Sequence, residues 1–266
     1  MVAVPTRSPP DSRPPPMSHL EIAEVAVALL VASMVQGMVG FASGMVLIPL
    51  LLIVGTTLSE AVAISAVAAF AQNLLGLYAL RREVPFRESV RPILVRFLAL
   101  PVGIWALTLS GDLDRDQVRQ IVGAVVLGTL VLVLRTPDRK RQRYPAVWDW
   151  LAFSSSGFLV GFCGIGGPPI VMWAMAQGWP PARTRGFLFL VFFSSMFPQL
   201  ALLGLAYGRA IGPAMLLGVV GAPVVLAGTY LGLRIGRHFS PRVLRRVSFA
   251  ILAAMALVEI VRPLMR

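Results

Sequence analysis

The run Gly161-Phe162-Cys163-Gly164-Ile165-Gly166-Gly167-Pro168-Pro169 decides the fold of this chain. Glycines and adjacent prolines at this density cannot continue an ordinary helix. Glycine loses the most backbone entropy there, and proline lacks the N–H and clashes with the preceding turn. Yet the run sits in an apolar segment from about 148 to 176 whose flanks are almost uncharged, as a membrane span requires. Non-helical backbone at membrane depth is tolerated only where protein or a polar cavity satisfies its N–H and C=O groups. A broken transmembrane helix whose interruption lines a binding site, as in transporters, reconciles these facts.

The rest of the chain agrees. It is 57% hydrophobic and 14% charged, whereas an ordinary soluble domain is roughly 25% charged. The single cysteine, Cys163, excludes an intrachain disulfide and offers no metal-ligand spacing. The net charge of +12 does not indicate nucleic acid. No basic face carries interleaved aromatics, and the arginines gather at the ends of apolar segments, as in cytoplasmic loops. Residues 1–19 are proline-rich and read as a disordered N-terminal extension, with Leu20 opening a retained first span.

Apolar segments fall at about 20–40, 43–54, 58–80, 90–109, 117–134, 147–163, 168–178, 186–207, 210–233 and 243–262. Six are long enough alone to cross a bilayer, which takes about 20 residues at 1.5 Å rise. The others form two glycine-interrupted pairs, 20–40 with 43–54 and 147–163 with 168–178. Val39-Gly40-Phe41 recurs as Val160-Gly161-Phe162, and Ser33 as Ser154. The expected architecture is all-α and polytopic, with a first membrane repeat at 20–134, a basic cytoplasmic linker at 135–146 and a second repeat at 147–266. Arg81, Arg82, Arg87 and Arg91 follow the second element of the first half, while Arg234, Arg237, Arg242, Arg245 and Arg246 follow the third element of the second. If basic loops face the cytoplasm, the halves are inverted and each broken pair crosses twice as a hairpin.

Soluble-enzyme patterns are absent. His19 and His238 have no partners for a metal site or a triad, and no Lys-Ser/Thr follows the glycine run. No catalytic residue, metal or cofactor is therefore expected. Glu21, Glu24, Glu60, Asp149 and Glu259 all lie near segment ends. Intramembrane acids normally mark cation paths, so a cation carrier is disfavoured. The mid-span polar residues are neutral, among them Gln36, Ser65, Ser154, Ser155, Ser156 and Ser195. With broken helices this suits an anion, because half-helix N-termini present bare N–H groups and partial positive charge.

The restart near Pro168 is the strongest such terminus, since proline fits the first helical turn. Gly164, Gly166 and Gly167 would let a small ligand approach the backbone. The parallel break is Gly40-Phe41-Ala42-Ser43-Gly44, with Ser43 as a hydroxyl donor. The candidate substrate-binding set is Gly40, Ser43, Gly44, Gln72, Asn73, Gly164, Gly166, Gly167, Pro168 and Gln199.

Plainer roles compete. Gly37, Gly40 and Gly44 have the spacing of close helix packing. Membrane serines commonly bond back to the i−4 carbonyl. Arg96 and Arg185 read as span-entrance residues that could draw an anion inward, with anchoring or snorkelling to headgroups the plainer and more frequent role. Cys163 reads as a small packing residue, and Trp173 and Phe162 stand close enough to the break to wall a cavity.

Taken together, these motifs resemble the sulfite exporter TauE/SafE family. The resemblance rests on Gln36-Gly37-Met38-Val39-Gly40-Phe41-Ala42-Ser43-Gly44, on the glycine–proline run from Gly161 to Pro169 and on the polar second element with Asn73. It rests also on the ending Gly232-Leu233-Arg234-Ile235-Gly236-Arg237 with Pro241-Arg242-Val243-Leu244-Arg245-Arg246. It implies a multi-pass bacterial inner-membrane transporter of small sulfur anions such as sulfite, sulfoacetate and related organosulfonates. Gly40, Ser43 and Gly44 match its motif in one half, and Gly161, Gly164, Gly166, Gly167 and Pro168 in the other. The first break lacks the dense glycines and following proline of the second, so an asymmetric site is expected. The reading is a secondary transporter working by alternating access. A passive anion channel or a carrier of a non-sulfur organic acid is the alternative. Its partners are the small anion and the lipid bilayer, with no nucleic acid. Proton or sodium coupling and a homodimer stay open.

Overall fold

The computed structural model describes residues 19–39, 42–135, 146–236, 238, 250 and 253–261. The expected N-terminal extension, most of the basic linker and Gly40 lie outside the described residues. Among the described residues all regular structure is helical. The order is α1 (His19–Val39), α2 (Ser43–Val54), α3 (Leu58–Ala79), α4 (Phe86–Leu109), α5 (Arg115–Arg135), α6 (Ala146–Cys163), α7 (Gly167–Ala176), α8 (Pro181–Tyr207), α9 (Gly212–Val220) and α10 (Ala222–Gly236), with a further helical stretch at 253–261.

Local chemistry sets the ends. Helix α2 stops at Gly55, whose φ of 111° is open to glycine and whose N–H closes on the Leu51 and Leu52 carbonyls. Helix α3 starts on a capping box: the Thr57 side chain accepts from the Glu60 N–H while the Glu60 carboxylate accepts from the Thr57 N–H. The apolar segment 210–233, expected as one span, divides at Gly221 into α9 and α10. Pro223 supplies no N–H to the preceding turn, which weakens the helix there.

Four helical stretches among the described residues are long and apolar enough to cross a membrane: Leu20–Met38, Leu58–Ala79, Phe86–Asp112 and Pro181–Val220. Three of the six segments read as long enough alone are among these, 58–80, 90–109 and 186–207, while Leu20–Met38 belongs to one arm of a broken pair. Of the other three, 210–233 divides at Gly221, and parts of 243–262 and some side chains of 117–134 lie outside the described residues.

Helix α4 shows what solvent the fold requires. Its outer face presents Leu94, Leu98, Val102, Trp105 and Leu109, with Leu98 76% exposed. Its inner face buries Val95, Leu100, Ile104 and Leu107 together with the side chain of Arg96. An outside this apolar, over an inside that holds a charge, reverses the pattern of a water-soluble helix and suits lipid. The chain is a multi-pass α-helical membrane protein.

The halves exchange partners, because α1 packs along α10 and α6 along α4. Both pairings rely on glycine. A Cβ on Gly37 would lie 2.6 Å from the Thr229 carbonyl oxygen, and one on Gly161 2.5 Å from that of Leu100. Small residues let membrane helices come this close. Helices α3 and α8 pack together between these pairs, with Phe70 and Phe193 ring centroids 5.2 Å apart.

Candidate functional site

Both interruptions seen in the sequence are present. Helix α1 ends at Val39, and α2 restarts after Ala42, which holds the left-handed conformation at φ 90°. Helix α6 ends at Cys163, and α7 restarts at Gly167 after Gly164 at φ 69°. The α6–α7 pair folds back as a hairpin. The Ser156 hydroxyl donates to the Gly166 carbonyl, the Trp173 indole N–H donates to Asp149 Oδ1 at 2.8 Å, and the Phe153 and Trp173 rings lie 5.0 Å apart.

The two breaks meet. A Cβ on Gly44 would strike the carbonyl oxygen of Gly164. Beside this contact is a cavity of about 60 Å³. The first turn of α2 forms one wall through Ser43, Gly44 and Met45, and the second break forms another through Gly164, Ile165, Gly166 and Gly167. Helix α3 contributes Ser65 and Asn73; helix α8 contributes Phe192, Met196 and Gln199. One buried water takes about 10–15 Å³ on this measure, so the space suits a solute of a few heavy atoms.

The candidate residues sort clearly. Ser43, Gly44, Asn73, Gly164, Gly166, Gly167 and Gln199 all border this cavity. Gln72 does not. Its Nε2 donates to the Ser33 carbonyl at 3.2 Å and to Thr229 Oγ1 at 3.0 Å, tying α3 to α1 and α10. Neighbours on a helix point about 100° apart, so Gln72 and Asn73 cannot share one face. Pro168 is buried at the start of α7 and does not border the cavity. Because Pro168 and Pro169 bring no N–H, α7 offers fewer bare amides at its first turn than α2.

At α2, Gln36 takes the role of a cap. Its Oε1 accepts the Ser43 N–H at 3.2 Å, while its Nε2 donates to Asn73 Oδ1 at 3.3 Å. Gln199 donates to the Val160 carbonyl at 2.9 Å, and its Oε1 is buried without a hydrogen-bond partner among the described residues.

Plainer roles prevail elsewhere. Ser33, Ser154, Ser155, Ser195 and Thr229 bond back to the i−4 carbonyl. Gly37 packs against α10. The Cys163 thiol is buried and bonds the Leu159 carbonyl. Neither Trp173 nor Phe162 walls the cavity; Trp173 joins an aromatic cluster with Phe153, Trp179 and Phe187.

Glu259 is 1% exposed, with Oε2 3.9 Å from Arg119 Nε. One charged residue overturns the sequence reading. Arg96 is not at a span entrance. It is fully buried, donating from Nε to Ser195 Oγ at 3.2 Å and from Nη1 to Ser156 Oγ and, at 3.4 Å, to the Gly166 carbonyl. The sequence signal was slight, since only Pro92-Ile93-Leu94-Val95 separates it from Arg91.

Lipid-facing helices, two interrupted pairs and a small cavity with polar groups in its wall where the interruptions meet define a multi-pass membrane protein built like a transporter. The family described as Sulfite exporter TauE/SafE matches residues 25–258, and the chain belongs to that family. It is similar to a protein of Cupriavidus necator named "Probable sulfite/organosulfonate exporter TauE", at 25% identity over 219 residues, covering 82% of this chain and 85% of that protein. No solved structure matches the chain.

Proposed function

We propose that this protein is a secondary carrier of a small sulfur oxyanion, sulfite or a short organosulfonate, in a bacterial inner membrane. The observation that carries the reading is the meeting of two helix N-termini at one cavity, lined by Ser43 and Gly44 at the start of α2 and by Gly166 and Gly167 at the cap and start of α7. Each terminus carries roughly half a positive charge and stabilises an anion by about 0.3–2 kcal/mol, towards the upper end when buried. The bare amides of the α2 first turn and the amide groups of Asn73 and Gln199 replace water around the oxyanion. No bond of the solute is made or broken.

The cavity of about 60 Å³ suits sulfite better than a long-chain sulfonate. Membership of the family and the name of the Cupriavidus necator relative support the same solute class. Alternating access needs the two interrupted pairs to part, and their contact through Gly44 and Gly164 is small enough to allow it.

The test is counterflow in proteoliposomes. Vesicles loaded with unlabelled sulfite should accumulate radiolabelled sulfite transiently, with saturable rates. Flux that rises without saturation and shows no counterflow would instead define an anion channel. Counterflow with a carboxylate but not with sulfite would move the protein to a different organic acid.

A further inference from the structure

We infer that Arg96 is the fixed positive charge of this site and makes it prefer doubly over singly charged anions, an inference that rests on the anion-carrier reading. The side chain lies near the middle of α4 and is 0% exposed. Its bonded acceptors are the Ser195 and Ser156 hydroxyls and the Gly166 carbonyl, all neutral. No carboxylate pairs with it among the described residues. Nη2 is buried and has no hydrogen-bond partner among the described residues.

A buried guanidinium that lacks a counter-ion is costly, and inside a membrane such a group ordinarily belongs to a solute path. Its surroundings say which path. The Gly166 carbonyl it holds belongs to the α7 cap that borders the cavity. The Phe192 ring, 5.7 Å from its Cζ, also borders the cavity. The charge therefore stands immediately behind the wall where the two breaks meet, with one end of the fork still uncommitted. In this low-dielectric setting it raises the potential of the cavity whether or not it touches the solute. Arginine stays charged where lysine would lose its proton, which suits a permanent counter-charge.

A purely structural Arg96, tying α4 to α6 and α8, would lower affinity for every anion alike. The two roles separate by comparing sulfite with methanesulfonate, a monoanion of similar size. Affinities are measured by competition in counterflow for the full-length wild type, Arg96→Gln and Arg96→Lys. Arg96→Gln should weaken sulfite by about tenfold or more relative to methanesulfonate, and Arg96→Lys, whose buried amine sheds its proton more readily, should restore only part of that ratio. A folded Arg96→Gln protein with the wild-type ratio overturns the inference while leaving the carrier reading intact.

A second measurement needs no variant. As pH rises and bisulfite loses its proton, wild-type affinity for total sulfite should tighten while that for methanesulfonate stays flat. Equal pH behaviour of the two anions overturns the inference, and a wild type that binds neither overturns the carrier reading with it.

Discussion

The carbonyl oxygen of Gly164 lies against Gly44, so the interrupted helix pairs touch backbone to backbone where both restart. A Cβ at residue 44 has nowhere to go. Gly164 is held at φ 69°, and its carbonyl belongs to a turn that cannot swing away without unwinding the end of α6. Gly44→Ala should therefore cost about 1–3 kcal/mol of stability and reduce sulfite uptake by more than tenfold. Thermal unfolding in detergent and proteoliposome uptake read the two effects. Wild-type values for both would mean that the breaks do not meet.

Gln72 and Asn73 are adjacent in sequence but serve different walls. Gln72 joins three helices, whereas Asn73 borders the cavity and is oriented by Gln36. Gln72→Leu should lower the melting temperature, since it leaves the buried Thr229 hydroxyl and Ser33 carbonyl without this donor, at about 1–3 kcal/mol. The apparent KM for sulfite should hardly move. Asn73→Leu also leaves the Gln36 Nε2 donor without this acceptor and should cost some stability, but unlike Gln72→Leu it should raise KM several-fold. The same KM effect in the two variants would count against the placement of the cavity.

Much of this was legible because glycine and proline act locally. The second break follows from several glycines and prolines acting together, so its place could be read from Gly164 to Pro169, whereas single prolines such as Pro49, Pro101 and Pro198 are carried inside helices. Rotational position about a helix was not legible. Gln72 and Asn73 look alike in a span, and only the packing of α1 and α10 decides which one faces the cavity. Arg96 was misread for a related reason. Its neighbours suggested a segment end, while α4 in fact begins at Phe86 and carries the residue inward.

Arg119 and Glu259 join α5 to the last helical stretch. The guanidinium stands 3.9 Å from the Glu259 carboxylate and donates to the Leu52 carbonyl at 2.6 Å, which also fixes the end of α2. Removing the cation strips a buried carboxylate of this charge, and such changes cost about 3–5 kcal/mol. Arg119→Met should lower stability by that order, and adding Glu259→Gln should recover a large part of it. A double-mutant cycle on thermal unfolding in detergent gives the coupling. Additive effects would show that the pair contributes nothing as a pair.

Gly166 and Gly167 are neighbours at the α7 restart, yet they differ in what they tolerate. A Cβ on Gly166 would lie 2.5 Å from the Ser156 carbonyl oxygen and 2.7 Å from Val160 Cβ, so any side chain there pushes α7 off α6. Loss of transport in a Gly166 variant would thus be mixed with loss of the hairpin. At Gly167 the nearest atom to an added Cβ is Phe192 Cζ, at 3.9 Å, an ordinary contact. Both Gly167 and Phe192 border the cavity. Gly167→Ala should keep or slightly raise the wild-type melting temperature, because alanine reduces the backbone entropy of the unfolded chain. It should slow transport of a larger sulfonate more than that of sulfite, because one methyl group removes space a few-atom cavity cannot spare. Uptake of the two anions by the same vesicles, expressed as a ratio to wild type, is the measurement. An unchanged ratio together with unchanged rates would place the solute path away from the second break.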